Sequence, residues 1–114
     1  MKLPNSDRAV VEIDKLRNYC LNPNHLKGKH KARVFASALG ITASDAEELQ
    51  QILLRVVTTN DATPLEEDAY GKRYRLDFVM IRDELQATIR SGWIVRSGED
   101  FPRLTSCFVL PSKE

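Results

Sequence analysis

The sequence has little of what most specialised chemistry or architecture requires. Its two cysteines, Cys20 and Cys107, lie far apart in a chain of 114 residues and form no CxxC pair. That spacing argues against a disulfide framework or a cysteine-rich metal site, and buried free thiols are the expected state. No run approaches the roughly 18 apolar residues that a membrane helix needs. The opening segment Met1–Asp7 lacks the apolar centre of a signal peptide, so the cytoplasm is the expected compartment and no membrane partner is expected. Neither sign of charge dominates: 17 lysines and arginines stand against 16 aspartates and glutamates. This balance excludes a globally basic nucleic-acid binder and leaves room for a local basic patch. No GxGxxG or Walker pattern is present, and Ser106 has no nucleophile-elbow spacing around it. Nothing repeats, and no segment is low in complexity.

What is present suits one soluble domain over residues 1–114, since 42% of residues are hydrophobic and 29% charged. Pro4-Asn5-Ser6-Asp7 reads as an entry turn, and Ala9-Val10-Val11 with Ile13 fits either a short strand or a helical turn. Asp14 is placed to cap a short helix carrying Leu16, Tyr19, Cys20 and Leu21, which Asn22-Pro23-Asn24 ends. A second helix from about Lys29 to Leu39 puts Ala32, Phe35, Ala36 and Leu39 on one face, with Gly40-Ile41 as a left-handed C-cap. Ser44-Asp45-Ala46-Glu47 reads as a capping box. It opens a helix with Ala46, Leu49, Ile52, Leu53 and Val56 in one stripe, ending near Thr58. Residues 59–64 read as a polar linker, and the acidic run Leu65–Asp68 as its solvated continuation rather than a metal site.

After Gly71 the period changes to two. Tyr74, Leu76, Phe78 and Met80 alternate with Arg73, Arg75, Asp77 and Val79, the pattern of a half-buried strand. Arg82-Asp83-Glu84 turns the chain into a run with Ala87, Ile89, Trp93 and Val95 on one face and Thr88, Arg90, Ile94 and Arg96 on the other. Gly92 is the candidate bulge there. A last strand after the turn Ser97–Asp100 carries Leu104, Ser106, Phe108 and Leu110 in phase. The expected fold is α+β, with N-terminal helices packed on a C-terminal antiparallel sheet of three to four strands.

The densest polar constellation is His25-Leu26-Lys27-Gly28-Lys29-His30-Lys31, with Arg33 just beyond. Cations at a helix start, beside unpaired amides and the positive end of the dipole, suit an anion such as phosphate; a solvated lysine-rich loop is the alternative. Both histidines fall in this cluster, where an imidazole could exchange a proton near a phosphate or simply cap the helix. Arg90 stands opposite the apolar face of its strand and could clamp a phosphate in a two-pronged geometry. Arg73, Arg75, Arg96 and Arg103 could extend a basic face that grips phosphates without reading sequence. An ordinary polar face with arginine–carboxylate pairs to Asp77 or Glu84 is the alternative. Thr105 and Ser106 offer hydroxyls with no adjacent activating base.

Several of these segments together resemble a known pattern: Lys15-Leu16 with Tyr19, Leu21-Asn22-Pro23-Asn24-His25, Gly28, Lys31-Ala32 and Phe35, then Arg90-Ser91-Gly92-Trp93-Ile94 and Pro102-Arg103-Leu104-Thr105-Ser106. The pattern resembles a small bacterial family of unassigned function, whose members occur free-standing and as C-terminal tips of polymorphic toxins. The order of helices then sheet is similar to the barnase–EndoU–colicin–RelE group of ribonuclease toxins. That resemblance implies an endoribonuclease acting on RNA without a metal or other cofactor. In it His25 would transfer the proton, Lys31 and Arg90 would hold the phosphate, and Ser106 or Thr105 would orient it. Lys27, Lys29 and His30 would bind substrate, with His30 ranked below His25. In the toxin tips the position of Ser106 is usually threonine, which keeps the hydroxyl. The implied partners are RNA and a small acidic antitoxin or immunity protein. The competing expectation is a non-catalytic module whose basic loop docks an acidic partner.

Overall fold

A computed structural model describes residues 1–111. Its elements run helical first and extended second: α1 (Ile13–Lys15), continued by a π-helical turn over Leu16–Cys20, α2 (Lys29–Leu39), α3 (Ala46–Thr59), then β1 (Thr63–Asp68), β2 (Gly71–Arg82), β3 (Leu85–Arg96) and β4 (Pro102–Val109). Neighbouring strands are antiparallel throughout, in the spatial order β1-β2-β3-β4. The α+β arrangement is the expected one.

The two longer helices form where period and caps agree. α2 buries Ala32, Phe35 and Leu39 and stops at Gly40, whose φ of 65° is the left-handed geometry that glycine adopts without a Cβ penalty. The Gly40 and Ile41 amides there return to the Ala36 and Phe35 carbonyls at 2.9 and 3.2 Å. α3 buries Ala46, Leu49, Leu53 and Val57, one residue in each turn. Its entry differs from the expected Ser44 capping box. Thr42 and Asp45 form the box instead, the Thr42 amide donating to Asp45 Oδ2 at 2.9 Å, and a 3-10 turn over Ala43–Asp45 feeds the helix. Asp14 is likewise inside the first turn of α1, whose cap position is Glu12. Val10, the ambiguous early residue, makes a parallel bridge to Arg103 on β4.

The sheet corrects three expectations. The acidic run Leu65–Asp68 is no linker: it lies in β1, paired with β2 and exposed along all six residues. No apolar alternation marks such a strand, because neither of its faces is buried. Its charges and Pro64 suit an unpaired edge. Second, β3 carries no bulge at Gly92, since its register with β2 is unbroken from Gly71↔Arg96 to Arg82↔Leu85. The core side of β3 therefore runs on through Ser91, which is fully buried; its hydroxyl donates to the Leu76 carbonyl at 2.7 Å and accepts from Trp93 Nε1 at 2.9 Å. Third, the irregularity lies across the sheet in β4. Gly92 pairs with Ser106 and Trp93 with Leu104, so Thr105 is the extra residue. The phase of β4 switches at that point: Leu104, Cys107 and Val109 are buried, while Ser106 and Phe108 turn to the other face.

The core lies between the helices and this inner face, where Phe35, Leu39, Leu49 and Leu53 meet Leu76, Phe78, Ile89 and Trp93. Cys20 and Cys107 are free and buried in it, and burial pushes the Cys20 thiol up to about 11. At the far end of the β2–β3 hairpin, Arg82 ties sheet to helices. It donates to Glu48 Oε2 at 2.8 Å and to the Leu39 and Gly40 carbonyls at 3.2 and 2.8 Å, satisfying orphan groups at the end of α2. Arg82→Ala is expected to cost about 1–2 kcal/mol, by loss of charge-assisted hydrogen bonds. Arg82→Lys should recover only part, lacking the planar fork. Urea titration of the three proteins measures both.

The other end is tied by Arg103, whose Nε and Nη2 donate to Glu99 Oε1 and Oε2 at 2.9 and 3.0 Å. Those hydrogen bonds hold the Glu99 carboxyl below its ordinary value of 4.5. A depressed carboxyl stabilises the fold fully above its unfolded value and loses that contribution as pH falls through the lower folded value. Melting temperature should therefore drop as pH falls below about 4.5, and Glu99→Gln should flatten that part of the curve.

Candidate functional site

The residues singled out for chemistry separate into two groups. The first lies on the outer face of the sheet and owes its geometry to the β4 bulge. By placing Thr105 and Ser106 opposite Gly92, the bulge turns two successive side chains toward one point. A Cβ built on Gly92 would sit 2.8 Å from Ser106 Oγ and 2.9 Å from Thr105 Oγ1. The missing side chain thus makes a small floor over which the two hydroxyls reach. Arg90, two residues back on β3, shares this face, as does Phe108 directly across from it. Lys31 reaches the same place from α2, its Nζ lying 4.3 Å from the centre of the Phe108 ring. Arg90, Lys31, Thr105 and Ser106 are thereby gathered round one stretch of sheet.

Arg90 is not a free cation. Its Nε and Nη2 donate to Asp77 Oδ1 and Oδ2, each at 3.0 Å, in the cross-strand pair Asp77↔Arg90. The hydrogen bonds raise the guanidinium's pKa further above its ordinary value. They also occupy one of its two donor edges. Arg75 stands directly across β2 from Gly92, half-buried on the same face.

The second group is the loop before α2. His25 is half-buried, its ring edge-on to Tyr19 with centroids 4.7 Å apart. Its Nδ1 accepts the Lys27 and Gly28 amides at 3.1 and 3.0 Å, and its carbonyl accepts the Lys29 amide at 3.0 Å. His25 thus takes three of the amides near the helix start where an anion was expected. Accepting at Nδ1 leaves the imidazole proton on Nε2. Lys27 and His30 are exposed and Lys29 half-buried. Among the described residues, no hydrogen bond or ring contact joins His25, Lys27, Lys29 or His30 to the outer-face group.

The even overall charge conceals a strong local bias. Residues 15–44 contain Lys15, Arg17, Lys27, Lys29, Lys31 and Arg33 and no aspartate or glutamate. This signal was readable from the start but is hidden by whole-chain counting. Among the described residues, no three histidine, cysteine, aspartate or glutamate side chains gather into a group able to hold a metal ion. No helix is long and apolar enough to cross a membrane.

A family model described as "Domain of unknown function (DUF6883)" matches residues 2–111. The chain belongs to the DUF6883 family. No curated protein sequence matches it. Among solved structures, the fold is similar to a chain of a contact-dependent growth inhibition toxin–immunity protein complex from Klebsiella pneumoniae 342. The TM-score is 0.61 at 16% identity, over 94% of this chain and 97% of that one. At that identity the likeness is one of fold, not of activity.

Proposed function

We infer that this DUF6883 chain is a toxin-type ribonuclease that cleaves RNA without a metal and is held silent by a small acidic immunity or antitoxin protein. The observation that carries the reading is the bulge-built floor at Gly92, where Thr105 and Ser106 converge beside Arg90 and Lys31. A phosphodiester seated there would have its non-bridging oxygens oriented by the two hydroxyls and its developing charge offset by Lys31, beside the Arg90–Asp77 pair. The ribose 2′-hydroxyl attacks the adjacent phosphorus, its proton leaves to a base, and the 5′-oxygen departs with a proton. The products are a 2′,3′-cyclic phosphate and a 5′-hydroxyl. His25, with its proton on Nε2, would protonate the departing oxygen only of an RNA that spans from the floor to the loop before α2. The toxin–immunity setting of the structural neighbour supports the choice of partner, and the acid-free stretch 15–44 is the surface an acidic inhibitor would cover.

A second reading rests on the loop itself. With His25 Nδ1 committed to its own backbone and Leu26 87% exposed among cations, the loop also fits a non-catalytic module docking an acidic protein. Induced expression separates the two. The enzyme reading predicts growth arrest with breakdown of total RNA, relieved by His25→Ala and by Arg90→Ala. Normal growth with intact RNA and well-folded protein would favour the docking module.

A further inference from the structure

The geometry points to Arg75, and not Arg90, as the residue that directly binds the phosphate over Gly92, with the Arg90–Asp77 pair serving as a neutral wall beside it. This rests on the ribonuclease reading for its substrate, though the phosphate site can be tested without it.

The first argument is position. Arg75, Gly92 and Ser106 lie side by side on three successive strands. Two strand spacings separate the outer pair by about 10 Å, a span that a phosphate hydrogen-bonded on both sides can bridge. Gly92 is the one position between them, and the two β4 hydroxyls, not a side chain of its own, lie over it. On the β4 side both hydroxyls are in place.

The second argument is charge. Three arginines surround this floor on β2 and β3. Arg73 is 3.4 Å from Asp68, and Arg90 is doubly bonded to Asp77. Arg75 has no carboxylate within ion-pair distance among the described residues. An anion approaching Arg90 must compete with a carboxylate already on it, whereas one approaching Arg75 meets an uncompensated guanidinium. Half-burial among its neighbours also lessens the screening of that charge. Asp77 is exposed and would repel a phosphate if left unpaired, and Arg90 neutralises it. Arg90→Ala therefore harms the site by unmasking Asp77, and removing both partners repairs it.

Inorganic phosphate is the probe, titrated against the Gly92 and Ser106 amide resonances by NMR, with melting temperature checked for each variant. Arg75→Ala is expected to weaken phosphate binding by about tenfold or more, as loss of a charge-assisted hydrogen bond implies. Arg75→Lys should fall between. Arg90→Ala should weaken binding as well, and Asp77→Ala/Arg90→Ala should return it to within about twofold of wild type. Wild-type binding by Arg75→Ala, a double variant as weak as Arg90→Ala, or no phosphate-dependent shift in wild type would each overturn the proposal. Cleavage of RNA by wild type and Arg75→Ala alike would sink the proposal and leave the ribonuclease reading standing. Arg75-dependent phosphate binding without cleavage would do the reverse.

Discussion

Gly92→Ala is expected to lower ribonuclease activity about a hundredfold while moving the melting temperature little. The added methyl would lie within 3 Å of both Thr105 Oγ1 and Ser106 Oγ. Ser106 can swing its hydroxyl away. Thr105 is stiffer at χ1 and must shift with its strand or rotate to a poorer rotamer. Neither adjustment empties the core, because the clash is on the outer face and Trp93, next in the chain, stays packed on the inner one. The floor is what disappears. A reacting phosphate displaced by about 1 Å from its oriented position loses on the order of a hundredfold in rate. Single-turnover cleavage of a short RNA, beside a thermal melt, reads both quantities. A variant that melts near the wild-type temperature and cleaves at the wild-type rate would show that the two hydroxyls do not orient substrate.

The largest effect on stability is expected at Trp93. It is 1% exposed, and its indole nitrogen donates to Ser91 Oγ, which in turn donates to the Leu76 carbonyl. Trp93→Ala removes the largest side chain of the core and leaves a cavity, a change that costs about 3–5 kcal/mol. Against the roughly 5–15 kcal/mol that a domain of this kind has in total, that leaves little. Trp93→Phe keeps most of the packing and should lose about half as much, since the Ser91 hydroxyl keeps its carbonyl acceptor. Denaturant midpoints rank the three proteins. Equal midpoints for wild type and Trp93→Ala would mean that the inner face of β3 is not the centre of the core.

How far these features were legible depends on whether a local rule or a tertiary one fixed them. α2 could be read because period, Gly40 and Ile41 all agree on where it ends. Most of the core of α3 was read too, though Val57 is buried where Val56 was expected; its cap fell on Thr42 because a 3-10 turn intervenes before the helix, and Ser44 offers the same chemistry two residues late. β1 was invisible because an edge strand exposed on both faces has no hydrophobic period. Ser91 broke the apparent alternation of β3, since a buried serine satisfied by two hydrogen bonds looks polar in sequence and behaves as core. The bulge was expected at Gly92 because a glycine inside a strand often marks one. The real bulge is in β4, where Thr105 and Ser106 give no sign of which is extra. Consequently Arg90, Thr105 and Ser106 could be named from the sequence, but their common face could not. His25 was conspicuous as a histidine among cations, yet its backbone acceptor role is visible only once the loop is closed.

The central claim is cleavage of RNA by its own 2′-hydroxyl on this protein's outer sheet face. The most direct measurement is incubation of purified wild-type protein with RNA in excess EDTA, followed by chemical identification of the new ends. The account predicts cleavage that survives chelation and yields 2′,3′-cyclic phosphate and 5′-hydroxyl termini. Intact RNA, cleavage abolished by EDTA, or products bearing 5′-phosphate would contradict it.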